Sequence, residues 1–327
     1  MNENHLCVAY SSDDNYVKFL GISMLSLLKN NQDFDSITVY VLDCGIREEN
    51  RMLLQELAES LKGTISFLPM LSAIEQLQLE QGAHKIAAAS YARLFLACVL
   101  PQDCDRVLYI DCDTLVRHSL KDLWRTDLGQ ALIAGCQDTV DSYFLRQIRL
   151  PKGVPYLNAG VLLINIKAWR EENLLASFRQ IIADFNGNVP HHDQGTINAV
   201  CGERRIRMPV TYNLFSNLYS FPARTIRRMY GLDEYYDQRE LDSAIADPAI
   251  VHFTSGLVGR PWEENCTHPL RDEFWYTVEQ SPWKGLAIQP DSRKTGLKLF
   301  IQFYKITPKP LFEFIYRCMN WALHLRK

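Results

Sequence analysis

The chain has 327 residues, 47% apolar and 22% charged, with a net charge of −3. That composition belongs to a globular protein of one large or two small domains, and the acidic balance argues against general nucleic-acid binding. The charge is uneven. Residues 293–327 carry Arg293, Lys294, Lys298, Lys305, Lys309, Arg317, Arg326 and Lys327 against Glu313 alone, a net +7 that leaves −10 on the rest. Nine scattered cysteines, an odd number without a Cys-x-x-Cys pair, predict reduced thiols and a cytoplasmic protein. The opening residues lack the basic-then-apolar pattern of a secretion signal, and no apolar run reaches the roughly 18 residues of a membrane span.

Residues 6–10 predict a first strand. A polar turn containing Ser11, Asp13, Asn15 and Tyr16 follows, then an apolar helix over 19–28. Strand, turn and helix make the first half of a nucleotide-binding βαβ unit, yet no Gly-x-Gly-x-x-Gly is present, which argues against a dinucleotide site. Asp13, Asn15 and Tyr16 either bind a base and ribose, or Asp13 or Asp14 merely caps the helix. Strands over 37–42 and 64–68 flank a helix over 47–61. A helix over 90–97 has its apolar face interrupted by Arg93. A buried Arg needs an anion, either an acid of the fold or a ligand.

Residues 106–114, Arg-Val-Leu-Tyr-Ile-Asp-Cys-Asp-Thr, organise the chain. Four apolar residues predict a buried parallel strand running into two carboxylates. Side chains alternate in extended chain, so Asp111 and Asp113 project from one side. There they would repel, and a hard divalent cation such as Mn²⁺ or Mg²⁺ removes the repulsion. The alternative is a pair of surface acids in a turn. A strand over 131–136 ends in Gln137-Asp138, and 156–165 predicts another strand whose Ala159 and Gly160 permit close approach of a ligand or backbone. One long helix is predicted over 167–186. Another opens at His191-His192-Asp193-Gln194, where Asp193 either caps the helix or acts at a site. A last strand over 249–253 holds His252, either a satisfied core residue or a ligand.

Taken together, Ser-Asp-Asp-Asn-Tyr, Tyr-Ala-Arg-Leu, Tyr-Ile-Asp-Cys-Asp-Thr-Leu, Tyr-Leu-Asn-Ala-Gly-Val-Leu-Leu-Ile-Asn, Asp-Gln-Gly-Thr-Ile-Asn and His-Phe-Thr-Ser-Gly with Arg-Pro-Trp occur in this order. The set resembles the retaining glycosyltransferases of family 8, over about residues 5–285. The stretch from Pro261 to Trp283 looks most like the bacterial enzymes of lipopolysaccharide core synthesis. The resemblance implies a GT-A fold, an α/β Rossmann-like mixed sheet flanked by helices. It implies a UDP-sugar donor, Mn²⁺ as cofactor (with Mg²⁺ the alternative), a glycan or glycolipid acceptor and retention at the anomeric carbon. By motif, Asp111, Asp113 and His252 would ligate the metal. Ser11, Asp13, Asn15, Tyr16, Arg93, Asp111, Cys112, Asn158, Gly160, Gly256 and Arg260 would bind the nucleotide sugar, and Asp138, Asp193 and Gln194 would act at the donor sugar. Arg260 stands where Lys is common, and the segment from His252 to Pro261 is about two residues longer than the usual pattern. Self-glucosylation, as in glycogenin, and non-catalytic sugar-nucleotide binding are the alternatives. Residues 286–327 read as a separate basic, aromatic tail. Pro308 and Pro310 split it into two short helices, suited either to an anionic membrane surface or to packing on the enzyme itself.

Overall fold

The computed structural model describes residues 3–75, 77 and 88–324. Among the described residues, ten strands build two sheets. The larger contains β1 (His5–Ser12), β2 (Ser36–Asp43), β3 (Thr64–Pro69), β4 (Arg106–Ile110), β6 (Ile133–Gln137), β7 (Leu157–Asn165) and β8 (Arg205–Arg207), in the order β3-β2-β1-β4-β7-β6-β8. The smaller contains β5 (Thr114–Val116), β9 (Leu214–Phe215) and β10 (Ile250–His252), in the order β5-β10-β9. The chain steps outward from β1 to β2 to β3 and then returns to place β4 on the other side of β1, parallel to it. That reversal leaves a crevice at the carboxyl ends of β1 and β4, the place where open α/β sheets bind ligands.

The sheet is mixed, as expected, and the central strand is parallel to its neighbour on one side only. β4 is parallel to β1 but antiparallel to β7, with Ile110 opposite Val161 and Arg106 opposite Asn165. Its Val107–Ile110 stretch is buried on both faces, which is why it reads as continuously apolar whichever way its neighbour runs. The predicted long helix over 167–186 is two helices, Ile166–Glu171 and Leu174–Asp184. Asn173 breaks it at φ 49, a left-handed conformation that Asn tolerates better than most residues. The break lets Trp169 and Phe178 both sit in the core, in edge-to-face contact at 5.0 Å. The helix predicted over 90–97 is likewise a composite, with a 3₁₀ turn at Arg93–Phe95 that directs Arg93 inward.

A second apolar cluster, built around Leu214, Phe215, Ile226, Tyr236 and Leu241, lies apart from the main core. The two predicted tail helices exist, Thr295–Ile306 and Lys309–His324, and one face of this pair covers that cluster. Phe312 is 1% exposed and Ile301 9%. Tyr304 donates to the Ser220 carbonyl at 2.8 Å, and Thr225 donates to Glu313 at 2.6 Å. The opposite face leaves Leu299, Ile306, Leu311 and Phe314 exposed. Arg326 and Lys327 lie outside the described residues. No helix among the described residues is long and apolar enough to cross a membrane.

Candidate active site

The chain leaves β4 at Ile110, turns through Asp111-Cys112-Asp113 and enters the second sheet as β5. β5 pairs antiparallel with β10, with His252 opposite Thr114, and Phe253 N donates to the Asp113 carbonyl at 2.8 Å. The pairing of β5 with β10 thus brings His252 to Asp113, 139 positions earlier in the chain, which local pattern does not reveal. His252 Nε2 lies 3.1 Å from Asp113 Oδ1 and 3.9 Å from Asp111 Oδ2. These three residues form the one His/Cys/Asp/Glu cluster of metal-ligand spacing among the described residues. Two carboxylates and an imidazole nitrogen suit a divalent ion such as Mn²⁺ or Mg²⁺ better than a soft one. Burial alone would lower the His252 pKa, but the facing Asp113 and Asp111 carboxylates outweigh it and raise it. Burial would raise the Asp113 pKa, and His252 overrides that and lowers it.

Gly160 makes room for this arrangement. A Cβ there would lie 2.2 Å from His252 Cε1, well inside contact distance. The expected close approach is therefore that of a neighbouring side chain. The Gly160 carbonyl also accepts from Asp111 N at 2.7 Å, which ties β7 to the turn that carries the acids.

Two cavities flank the triad. The first, of about 470 Å³, is lined by Ser11, Ser12, Asp13, Tyr16, Ala89, Ser90, Arg93, Tyr109, Asp111, Cys112, Asp113 and Arg260. The second, of about 410 Å³, is lined by Asp138, Asn158, Ala159, Gly160, His191, His192, Asp193, Gln194, Phe215, Asn217, His252 and Thr254, and it shares Ser90, Arg93 and Asp111 with the first. A third, of about 560 Å³, adjoins the second at Asp138 and holds no member of the triad. Asn15 and Gly256 line none of the three. Asn15 lies at the exposed edge of the turn, and Gly256 packs beside Asn217 at φ 37. Asp13 serves the turn itself, accepting from Asn15 N and Tyr16 N at 3.0 Å each, while it also borders the first cavity. Cys112 donates its thiol to the Ser11 carbonyl at 3.2 Å, joining the ends of β1 and β4.

Arg93 finds its anions in acids of the fold. It pairs with Asp111 at 3.0 Å and Asp193 at 3.0 Å, donates to the Ala159 carbonyl at 2.5 Å and stacks 4.2 Å from the Tyr109 ring centroid, all at the common wall of the two cavities. Asp193 serves both ends of its alternative: its carboxylate accepts from backbone N–H groups of the helix's first turn and also pairs with Arg93 at the cavity wall. Burial pushes its pKa up to about 6 against the pull of Arg93, with Asp111 adding repulsion. Gln194 is held at both ends, donating to Asp138 Oδ2 and accepting from Ala159 N, each at 2.9 Å. Arg260 lies 3.9 Å from Asp113 and 3.6 Å from the buried Glu263. Trp262, buried against Phe19 at 4.1 Å between ring centroids, anchors its loop to the helix Val17–Asn30. Burial opposes the charge of Arg260, but Tyr16, Asp113 and Glu263 raise its pKa.

Sequence reasoning missed three participants. Tyr109 donates to Asp111 Oδ1 at 3.0 Å but reads as one apolar residue of a core strand. Ser90 lines both cavities from a helix chosen for its Arg. Asn213, fully buried, contacts His252 Nδ1 at 3.0 Å from an irregular stretch with no periodicity.

The family model for glycosyl transferase family 8 matches residues 7–266. General stress protein A of Bacillus subtilis (strain 168) is 27% identical over 278 residues, covering 84% of this chain and 94% of that protein. The lipopolysaccharide 1,2-glucosyltransferase of Escherichia coli (strain K12) is 23% identical over 303 residues, covering 92% and 83%. A solved structure of the galactosyltransferase LgtC in complex with donor and acceptor sugar analogs superposes with a TM-score of 0.73 at 27% identity, over 86% of this chain and 99% of that one. The fold is GT-A, and the chain belongs to glycosyl transferase family 8.

Proposed function

We propose that this protein transfers a hexose, glucose or galactose, from a UDP-sugar to a hydroxyl of a glycan acceptor, with retention at the anomeric carbon and a requirement for Mn²⁺ or Mg²⁺. The carrying observation is the Asp111, Asp113 and His252 triad, set at the wall between two polar cavities at the switch point of the sheet. The first cavity takes the uridine and diphosphate, with Tyr16 over the base and Arg260 toward the phosphates. Arg makes two parallel contacts to phosphate, which compensates for the absence of the more common Lys. The second cavity takes the sugar, held by Arg93, Asp138, Asn158 and Gln194. Asn15 and Gly256 play at most a supporting role, since neither borders a cavity.

A divalent ion on the triad would neutralise charge that grows on the departing diphosphate. The chain's own residues do the rest. Arg93 places a permanent positive charge beside Asp111 and Asp193, which lets both acids stand close to the reacting sugar. Asp138 and Gln194 form a fixed polar wall that favours positive charge at the anomeric carbon. With both ends of its amide engaged, Gln194 is no nucleophile, and Asp193 is committed to Arg93. This favours front-face attack. The acceptor oxygen bonds to the anomeric carbon as the bond to phosphate breaks, and the hydroxyl proton passes to the departing phosphate oxygen. Incubation with UDP-glucose, UDP-galactose and UDP-N-acetylglucosamine tests the assignment. Mn²⁺-dependent release of UDP from a hexose donor supports it, and inertness with every donor, with and without a lipopolysaccharide-type acceptor, would refute it.

The likeness to a lipopolysaccharide enzyme supports a surface glycan as acceptor. An acceptor of that kind is anchored in a membrane, and the tail suits such a surface. Exposed Leu299, Ile306, Leu311 and Phe314 lie with exposed Lys294, Lys305 and Lys309 on the face of the tail helices turned away from the second cluster. We read the protein as cytoplasmic and peripheral on the inner membrane face.

A further inference from the structure

Behind the triad runs a chain of side-chain hydrogen bonds that has only one self-consistent direction. Asp138 begins it. Its carboxylate accepts from Asn158 Nδ2 at 2.9 Å, Gln194 Nε2 at 2.9 Å and Thr139 N at 2.6 Å. An ionised carboxylate has nothing to donate, so the Asn158 amide must present its NH₂ to Asp138. The Asn158 oxygen therefore faces the other way, where it accepts from Gly160 N at 2.9 Å and from Asn213 Nδ2 at 2.8 Å. The backbone N–H of Gly160 can only donate, and it fixes the same orientation independently. Asn213 has then used its NH₂ toward Asn158, and its oxygen is what meets His252 Nδ1 at 3.0 Å. An amide oxygen only accepts, so Nδ1 must carry the hydrogen. Nε2, the nitrogen that faces Asp113 and Asp111, is then the one that gives up its hydrogen when a cation binds.

We infer that Asn213 is a positioning residue that holds His252 in the tautomer a metal requires, as the last link of a one-way hydrogen-bond chain begun by Asp138. The inference rests on the reading of the triad as a metal site. Asn213 is fully buried and borders none of the three cavities, which keeps water from taking its place between Asn158 and His252. Asn213 sits at the end of the turn Val210–Asn213, directly before β9, and β9 pairs with β10 next to His252. The position is fixed by two sheet contacts, so the amide is held whether or not the sugar cavity is filled. The chain also joins Asp138, on the cavity wall, to His252 through Asn158 and Asn213.

Partners of this kind typically govern metal affinity by about 10–100-fold. Mn²⁺ affinity, measured from the electron paramagnetic resonance of the free ion, should fall by about 10-fold or more in Asn213→Leu, which offers no acceptor. Asn213→Asp restores an acceptor for Nδ1–H and should stay within about threefold of the parent. Thermal unfolding of each variant records whether it folds. A second measurement needs no variant of Asn213: nitrogen-15 NMR of the Mg²⁺-loaded protein, with the His252 signals identified by their loss in His252→Gln. It should show Nδ1 protonated and Nε2 bare. The reverse tautomer overturns the inference, as does an Asn213→Leu protein that binds Mn²⁺ like the parent, or an Asn213→Asp protein that loses as much as the leucine variant. A parent protein that binds no Mn²⁺ would overturn the metal reading and this inference together. Normal binding that is indifferent to Asn213 would overturn this inference alone.

Discussion

Gln194 is held by Ala159 N at one end and Asp138 at the other, so its amide cannot turn away from the sugar cavity. Its polarity is realised most when the anomeric carbon becomes positive. Gln194→Ala should therefore lower kcat by about 10²-fold, with little change in the donor KM, the mark of an interaction made mainly in the transition state. Steady-state kinetics at varied donor concentration checks this, and an unchanged kcat removes Gln194 from the reaction. Asp193 gives a pH prediction. Its folded pKa, about 6, lies above the ordinary 3.8 of a free aspartate, so the folded chain holds the proton more tightly than the unfolded one. Its contribution to stability is greatest at the acid end, falls as pH rises from near 4 to near 6, and is level beyond. Activity should run the opposite way, rising with pH through about 6 as the carboxylate forms beside Arg93. In Asp193→Asn that limb should vanish and turnover fall, and a pH–rate profile that keeps the limb would assign it elsewhere. The acids of the site were legible because charged residues at the end of an apolar strand have few other reasons to be there. Asn213 was not, since a polar residue in an irregular turn looks the same whether it faces water or a histidine.

Among the elements, β7 carries the most consequence per residue. Its first four positions supply Asn158 to the hydrogen-bond chain, Ala159 O to Arg93, Ala159 N to Gln194 and Gly160 as the space for His252. Gly160→Ala would force His252 off its position, because the added carbon meets the ring 2.2 Å away and the strand backbone cannot retreat. Mn²⁺ affinity should drop by about 10-fold or more while the far-ultraviolet circular dichroism is kept. Unchanged Mn²⁺ binding would show that the histidine has another place to stand. Strand and helix positions were largely legible from periodicity, since β1, β2, β3 and β4 fall within about two residues of their expected bounds. Pairing direction and the helix break at Asn173 were not. A strand buried on both faces carries no mark of its neighbour's direction, and one left-handed residue leaves the apolar spacing on either side intact.

At the scale of the whole molecule, the motifs lie on both sheets and the tail lies beyond them. Phe312 completes the second cluster, with Phe300, Phe303, Tyr304 and Tyr316 packed against it, so removing the tail would strip that cluster bare, and point changes on its outer face are the sharper probe. The full protein should pellet with anionic vesicles and not with neutral ones, and salt should release it, since each basic residue near such a surface contributes about 1 kcal/mol. Ile306→Glu with Phe314→Glu, both at largely exposed positions, should abolish pelleting and leave UDP release intact. Indifference of the full protein to anionic vesicles would contradict the membrane reading. The uneven charge of the tail was visible in sequence, but which of its residues pack on the cluster was not, because those and the ones that face outward alternate along the same two helices. The central claim is that Asp111, Asp113 and His252 form a cation site through which the nucleotide is held. Calorimetric titration of UDP, with and without Mn²⁺, into the parent protein and Asp113→Asn tests it most directly. The parent should bind UDP at least about 10-fold more tightly with Mn²⁺ than without, and the variant should lose that gain while keeping its weak metal-free binding. Equal UDP affinity with and without Mn²⁺ in the parent, or a full Mn²⁺ effect in the variant, would contradict the account.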